Sequence, residues 1–266
     1  MTRNRDTDIS RRLSDVRVAI TGGTSGLGLA LVAELTRRGA RVAFVARTAE
    51  RVEAVARAHP GAHGIVGDVA RKEDIHPIAL QITGSLGGLD VLVNNASSLG
   101  PVPLALLADT GCEELELALA TNVLGPFRLA RALLGALSAS ARERRGSVVL
   151  NVSSDAAVNA YPMWGAYGAS KAALHHMSRI WDEELAADGV RVLSLDPGDM
   201  DTPLHAMAVP DSDPSTLERP ETAARELADA IAAALPVRLA GADPLTLVPS
   251  IEPVDGSQHV LGETRA

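Results

Sequence analysis

Tyr167 and Lys171 are the residues of this chain whose types and spacing are best suited to moving a proton. Tyr167 and Lys171 stand four positions apart in YGASKAALHHMSRIWDEELAADG, a segment with helical apolar spacing, so they share one helix face. A phenol, with a free pKa of about 10, gives up its proton more readily beside a fixed positive charge and can then serve as an acid or a base. Positioned groups of this kind typically contribute roughly 10²–10⁴ in rate. The same spacing also serves ordinary contacts along a helix surface. The pair gains meaning only from what the rest of the chain places around it.

The elements that must position these residues are legible in the pattern. Short β-branched runs alternate with helical stretches: RVAITGG, ALVAELTRRG, RVAFVAR, a helix ending near Ala58, HGIVGDV, LDVLVNNAS, GSVVLNVSS and VRVLSLDPG. That alternation predicts a doubly wound α/β fold, a parallel sheet with helices on both faces in three layers. No repeat or low-complexity linker divides it. The expected organisation is a flexible N-terminus over 1–15 and one Rossmann-type domain over 16–266. The segment near 203–220, rich in Pro, Ser and Asp, follows the sixth strand, where open α/β sheets bind ligands. It reads either as a lid or as an ordinary loop.

TGGTSGLG, Thr21 to Gly28, follows the first strand and opens a helix. Glycines there let the backbone approach a pyrophosphate and present free N–H groups to it. The alternative is a tight strand-to-helix turn without a ligand. Position favours the nucleotide.

From here several motifs, in order, resemble those of the short-chain dehydrogenase/reductase family over roughly residues 16 to 235. TGGTSGLG is similar to its T-G-x-x-x-G-x-G turn, so the resemblance implies cofactor contacts from Gly22, Thr24, Ser25, Gly26, Leu27 and Gly28. Asp68 and Val69 resemble the pair that meets adenine. Asn94-Asn95-Ala96 resembles N-N-A-G, with Ser97 in place of the last glycine, which adds a hydroxyl near the cofactor. Pro197 and Gly198, with Thr202 further on, resemble the motif that holds the nicotinamide amide. Asn122, Ser154, Tyr167 and Lys171 match the catalytic tetrad, Ser154 standing thirteen residues before Tyr167. The resemblance implies that Ser154 orients a carbonyl, Tyr167 carries the proton, and Lys171 lowers the phenol pKa while holding the nicotinamide ribose.

Pro126 lies four residues after Asn122 and has no N–H, so the helical bond to the Asn122 carbonyl does not form. In the family an ordered water at this asparagine links the lysine to solvent, and Pro126 would build that opening into the chain. A proline kink that serves packing is the other reading. Cofactor choice turns on the end of the second strand, where an acidic residue would favour NAD. This chain has Ala46 and Arg47, and a guanidinium suits a 2′-phosphate. NADP(H) is therefore expected over NAD(H), although Ser25 stands where many NADP-preferring relatives have a basic residue.

Composition excludes other classes. A net charge of −8 lacks the basic footprint of nucleic-acid binding. The one cysteine, Cys112, excludes an intrachain disulfide and reads as a buried or half-buried thiol. MTRNRDTDISRR resembles neither a secretion signal nor an anchor, and the uncharged stretch from Val91 to Ala108 is interrupted by Asn, Ser, Gly and Pro. The expectation is a cytoplasmic protein without membrane or nucleic-acid partners. His175 with His176, and His59 with His63, lack ligand spacing, so no metal is expected. Tyr161 and Trp164 read as a substrate wall or as packing, and Asp155 as a turn cap or a contact for a polar substrate.

The reading is an NADP-dependent carbonyl reductase or alcohol dehydrogenase acting on a small-molecule ketone, aldehyde or secondary alcohol. The resemblance implies a homodimer or homotetramer formed through segments near Glu113 to Leu137 and Tyr161 to Ala187. The rival reading is a non-catalytic NAD(P)-binding redox sensor or scaffold. A serine hydrolase fits less well, because no serine lies in a G-x-S-x-G elbow. The terminal VDGS only faintly resembles the family's V-D-G-G.

Overall fold

β-Branched side chains are stiff and favour extended backbone, and strands covered on both faces read as near-continuous apolar runs. In the computed structural model, which describes residues 13–236, six such runs become strands. They are β1 (Arg17–Thr21), β2 (Arg41–Ala46), β3 (Ala62–Val66), β4 (Val91–Asn94), β5 (Ser147–Val152) and β6 (Val190–Leu195). All pairs are parallel, in the order β3-β2-β1-β4-β5-β6. The terminal VDGS lies outside the described residues, as do residues 1–12 of the expected flexible terminus.

The connecting helices are α1 (Gly26–Arg37), α2 (Ala49–Ala58), α3 (Lys72–Leu86), α4 (Cys112–Leu119), α5 (Gly125–Arg142), α6 (Gly165–Leu185), α7 (Pro203–Ala208) and α8 (Pro220–Ala234). Successive strand residues face opposite ways. Val18, Ile20, Val42 and Phe44 therefore join Leu31, Leu35 and Leu227 in one core, while Ala19, Ala43 and Val45 join Ile82, Leu129 and Leu133 in the other. Each fully buried Leu, Ile or Val contributes about 1.5–3 kcal/mol relative to exposure. The result is the three-layer α/β/α architecture expected from the sequence.

Leu13 is fully buried, in the core that also holds Val16. At the base of the sheet Asp90 is also fully buried. It accepts hydrogen bonds from the Arg17 backbone N–H, the Arg17 and Arg145 guanidinium groups and Ser140 Oγ. These donors outweigh its burial and hold the carboxyl well below the usual range. The stretch Cys112–Arg142 is long and apolar enough to cross a membrane by length and composition alone. Here its Leu129, Leu133 and Leu137 are core residues.

Order reverses between β1 and β4, whose chains depart to opposite sides and leave a crevice at their carboxyl ends. The segment after β6 crosses this end as a built structure. Thr202 Oγ1 caps α7 by accepting from His205 N at 3.2 Å, and Met200 and Glu218 form a parallel bridge that ties the segment's two ends.

Candidate active site

The glycine turn begins where β1 ends. Gly22 has φ 72° and Gly26 φ 49°, conformations that side chains rarely adopt. A Cβ at Gly28 would overlap the Gly22 carbonyl oxygen and lie 2.5 Å from Asn95 Nδ2. The turn is thereby pressed against the β4 loop across the switch point. Asn95 Nδ2 donates to the Thr21 carbonyl at 2.9 Å, and Asn95 N and Ala96 N both donate to Thr21 Oγ1 at 3.0 Å. Ser25, the N-cap of α1, forms no side-chain cap bond, which leaves first-turn N–H groups for an anion. Thr24 and Leu27 lie within the turn, and the Thr202 side chain packs 3.2 Å from where a Gly26 Cβ would be. Pro197 and Gly198 follow β6, where Asp196 Oδ1 accepts from Gly198 N at 3.0 Å.

A second group of residues expected to meet the cofactor lies beyond β2 and β3. Arg47, Asp68, Arg71 and Asp74 line one recess of about 380 Å³. Asp68 Oδ1 accepts from Ala70 N at 3.0 Å, Asp68 N donates to Asp74 Oδ2 at 2.9 Å, and Val69 is buried. Arg71 was not anticipated. Its only signal in the sequence is a guanidinium three residues after Asp68, ahead of a helix start.

The four expected catalytic residues come from three elements: the turn after β5, α6 and the π turn that precedes α5. Tyr167 and Lys171, both buried, share one face of α6, with Lys171 Nζ 5.5 Å from the phenol ring centre. Lys171 Nζ donates to the Val152 carbonyl at 2.7 Å, and burial brings the ammonium down to about 8 against the opposing effect of Asp196. Burial pushes the Tyr167 phenol up to about 12; Asp196 and Asp155 also raise it, while hydrogen bonding to Ser154 and Ser97 lowers it. Burial is the largest of these effects, so the phenol lies above its free value with Lys171 beside it and stays protonated at neutral pH.

Asn122 lies in a single π turn, Ala120–Leu124, in which Gly125 N donates back to the Ala120 carbonyl. The interruption legible in Pro126 takes this form. The Asn122 amide is fully engaged: Nδ2 donates to the Ser98 carbonyl and to Ser170 Oγ, both at 2.8 Å, and Oδ1 accepts from Ser98 N at 2.8 Å and Ser97 Oγ at 3.3 Å. It clips the β4 loop to α6.

Ser154 Oγ accepts from Ala156 N and donates to Asp155 Oδ1, each at 3.2 Å, so the cap of this turn is Ser154 and not Asp155. Asp155 Oδ2 instead accepts from Tyr161 OH at 2.7 Å. Trp164 meets the Tyr167 ring edge-on at 5.6 Å, while Tyr161 is 44% exposed. Leu99, Leu104, Leu204 and Ala208 complete an apolar cluster around Tyr167. Cys112 is exposed rather than buried, because it opens α4 at the surface. His175 Nδ1 lies 3.0 Å from Ser194 Oγ, and among the described residues no group of three or more His, Cys, Asp or Glu could hold a metal ion.

A parallel sheet in this order, with a glycine turn pressed against the switch point and a Ser, Tyr and Lys beside it, defines a Rossmann-type dinucleotide-binding oxidoreductase. Residues 17–213 match the model of the short chain dehydrogenase family. The chain belongs to the short-chain dehydrogenase/reductase family, as its motifs suggested. It is 34% identical over 194 residues to 2-(R)-hydroxypropyl-CoM dehydrogenase of Xanthobacter autotrophicus, covering 71% of this chain and 76% of that one. Its fold is similar to that of a 3-ketoacyl-(acyl-carrier-protein) reductase from Brucella melitensis complexed with NADH, at TM-score 0.76 and 28% identity over 81% of this chain and 90% of the other. A short chain dehydrogenase from Burkholderia cenocepacia in complex with NADP gives TM-score 0.74 at 25% identity, covering 83% and 91%. A nicotinamide cofactor is thereby supported, and the start of α1, whose N-cap Ser25 makes no side-chain cap bond, fits a pyrophosphate.

Proposed function

We propose that this chain is an NADP(H)-dependent reductase of ketones or aldehydes, the same site oxidising secondary alcohols in reverse. The observation that carries the reading is a buried phenol, Tyr167, sharing one helix face with the buried Lys171, whose Nζ lies 5.5 Å from its ring centre, at the carboxyl end of the sheet. When bound, the nicotinamide supplies or takes the hydride. Ser154 Oγ orients the substrate oxygen, and Tyr167 Oη gives that oxygen its proton as negative charge develops on it. The phenol, raised to about 12, is protonated at neutral pH, the state a proton donor needs. Lys171 holds the ribose side of the cleft, and Asn122 fixes the loop that carries Asn95, Ala96 and Ser97. Gly22, Thr24, Ser25, Gly26, Leu27 and Gly28 receive the pyrophosphate, Asp68 and Val69 the adenine, and Pro197, Gly198 and Thr202 the nicotinamide amide. The segment near 203–220 covers the substrate.

NADP(H) preference rests on Arg47 and Arg71 lining one recess, together with Ala46 where a carboxylate would contact a ribose diol. Fluorescence titration with NADPH and NADH, on the parent protein and on Arg47→Ala, Arg71→Ala and the double variant, tests this. NADPH binding should weaken about tenfold in each single variant, as expected for a charge-assisted hydrogen bond worth about 1.5–3 kcal/mol, with NADH binding unchanged. Equal binding of the two cofactors by the parent would refute the preference. The acidic charge and single cysteine support a cytoplasmic setting without nucleic-acid or membrane partners. Exposed Leu117 on α4, Leu124 in the π turn and Ile180 on α6 support a homo-oligomer built on these helices.

A further inference from the structure

Asp155 is the one charged side chain in residues 153–164, the loop that runs from β5 to α6, and the proton transfer does not use it. Its carboxylate is bonded to the residue that orients the substrate oxygen, since Ser154 Oγ donates to Asp155 Oδ1 at 3.2 Å. Tyr161 OH donates to Asp155 Oδ2 at 2.7 Å, so both oxygens are held in one orientation. Both partners are uncharged hydroxyls, which leave the negative charge of the carboxylate in place. Burial raises the Tyr167 phenol most, and Asp155 adds to the rise, so the field of this carboxylate reaches the reacting phenol.

Three loops meet at Tyr167. Leu99 and Leu104 from the loop after β4, Trp164 from the loop after β5 and Leu204 from the segment after β6 pack with it in one apolar cluster. None of the three brings a free cation. Residues 97–111 and 153–164 contain no Lys, Arg or His, and residues 196–218 contain only His205, which lies 3.9 Å from the Asp199 carboxylate. The Lys171 ammonium is buried and bonded to the Val152 carbonyl.

We propose that Asp155 is a specificity-determining residue: the site takes uncharged carbonyl compounds with an apolar flank and rejects those carrying a carboxylate, phosphate or sulfonate beside the reacting carbon. The inference rests on the proposed reduction, in which Ser154 Oγ contacts the substrate oxygen. A substrate bonded to Ser154 stands one hydroxyl away from the Asp155 carboxylate, so an anionic group on the neighbouring carbon faces a like charge at a few ångströms. At that separation the repulsion costs about tenfold or more in affinity, and the loops hold no cation to offset it. Tyr161 keeps the carboxylate from turning away. An ester or a hydrocarbon chain in the same place meets only the two hydroxyl dipoles and the apolar cluster.

Substrate pairs matched except in charge test this: methyl benzoylformate with benzoylformate, and ethyl acetoacetate with acetoacetate, each reduced with NADPH and with NADH at pH 7. In the parent, kcat/KM for each ester should exceed that for its anion by about tenfold or more. Asp155→Asn keeps an acceptor for Ser154 and removes the charge, so it should raise kcat/KM for both anions by about tenfold. Damage to the fold or to Ser154 does not produce a gain of this kind. Anions reduced as well as esters by the parent would overturn the inference and leave the reductase reading standing. A variant that reduces the esters without any gain on the anions would do the same. A variant that reduces neither member of a pair would also overturn it, because the carboxylate would then be needed for the reaction and not for choosing among substrates. Turnover of no carbonyl compound by the parent would defeat the reductase reading, and this inference with it.

Discussion

Replacing Lys171 by methionine isolates the energetics of a charge held in the core of the site. Lys171 is 2% exposed, and its burial brings the pKa from 10.5 to about 8. A displacement of that size means the folded state holds the charged amine at a disadvantage of about 3 kcal/mol at neutral pH. Methionine removes this penalty but leaves the Val152 carbonyl without its 2.7 Å donor, a loss of about 1–3 kcal/mol. The two terms nearly offset at pH 7, so the variant should be equal to or slightly more stable than the parent there. Between about pH 8 and 10.5 the unfolded parent binds a proton that the folded parent has released, so the parent's stability rises with pH through this window. The variant has no such group. The carbonyl term is present at both pH values and cancels, as does Tyr167, which titrates in both proteins. Urea midpoints of the two proteins at pH 7 and pH 10 therefore give the charge term as a difference of differences. The variant should lose about 2–3 kcal/mol relative to the parent over that interval and become the less stable protein. A stability difference that stays constant with pH would refute the reasoning.

Gly28→Ala should abolish nicotinamide cofactor binding and destabilise the fold by about 1–3 kcal/mol, because its methyl group would meet the Gly22 carbonyl and Asn95 Nδ2. Thermal unfolding with and without NADPH measures both effects, and a cofactor-induced rise in Tm equal to the parent's would contradict it. Asp90→Asn should cost about 3–5 kcal/mol at pH 7, since two guanidinium groups lose their buried partner. The Asp90 carboxyl is held below its unfolded pKa, so the stability it confers is present above the unfolded value and disappears as pH falls through the folded one. Acid unfolding curves should therefore converge for the parent and Asp90→Asn, and a gap that persists at the lowest pH would argue against the assignment.

The sequence by itself determined the sheet and the places where ligand chemistry could gather. Strand runs such as RVAFVA and SVVLNV are local patterns, and their stiff side chains with both faces apolar are compatible with a buried parallel sheet and little else. The glycine turn was equally legible, because Gly22 and Gly26 adopt φ values that other residues avoid. Tyr167 and Lys171 were brought together by helical period alone. Tertiary structure alone decided whatever depends on burial or on partners distant in the chain. It set the Tyr167 phenol above its free value although Lys171 lies beside it, because desolvation depends on the packed surroundings and not on spacing. It paired Arg71 with Arg47 across two strand ends, joined Asn122 to Ser97 and Ser98, and gathered Arg17, Ser140 and Arg145 around Asp90. Periodicity carries no information about such pairs. They form only when the sheet order brings separate loops to one edge, and the free energy that holds them comes from removing their polar groups from water together.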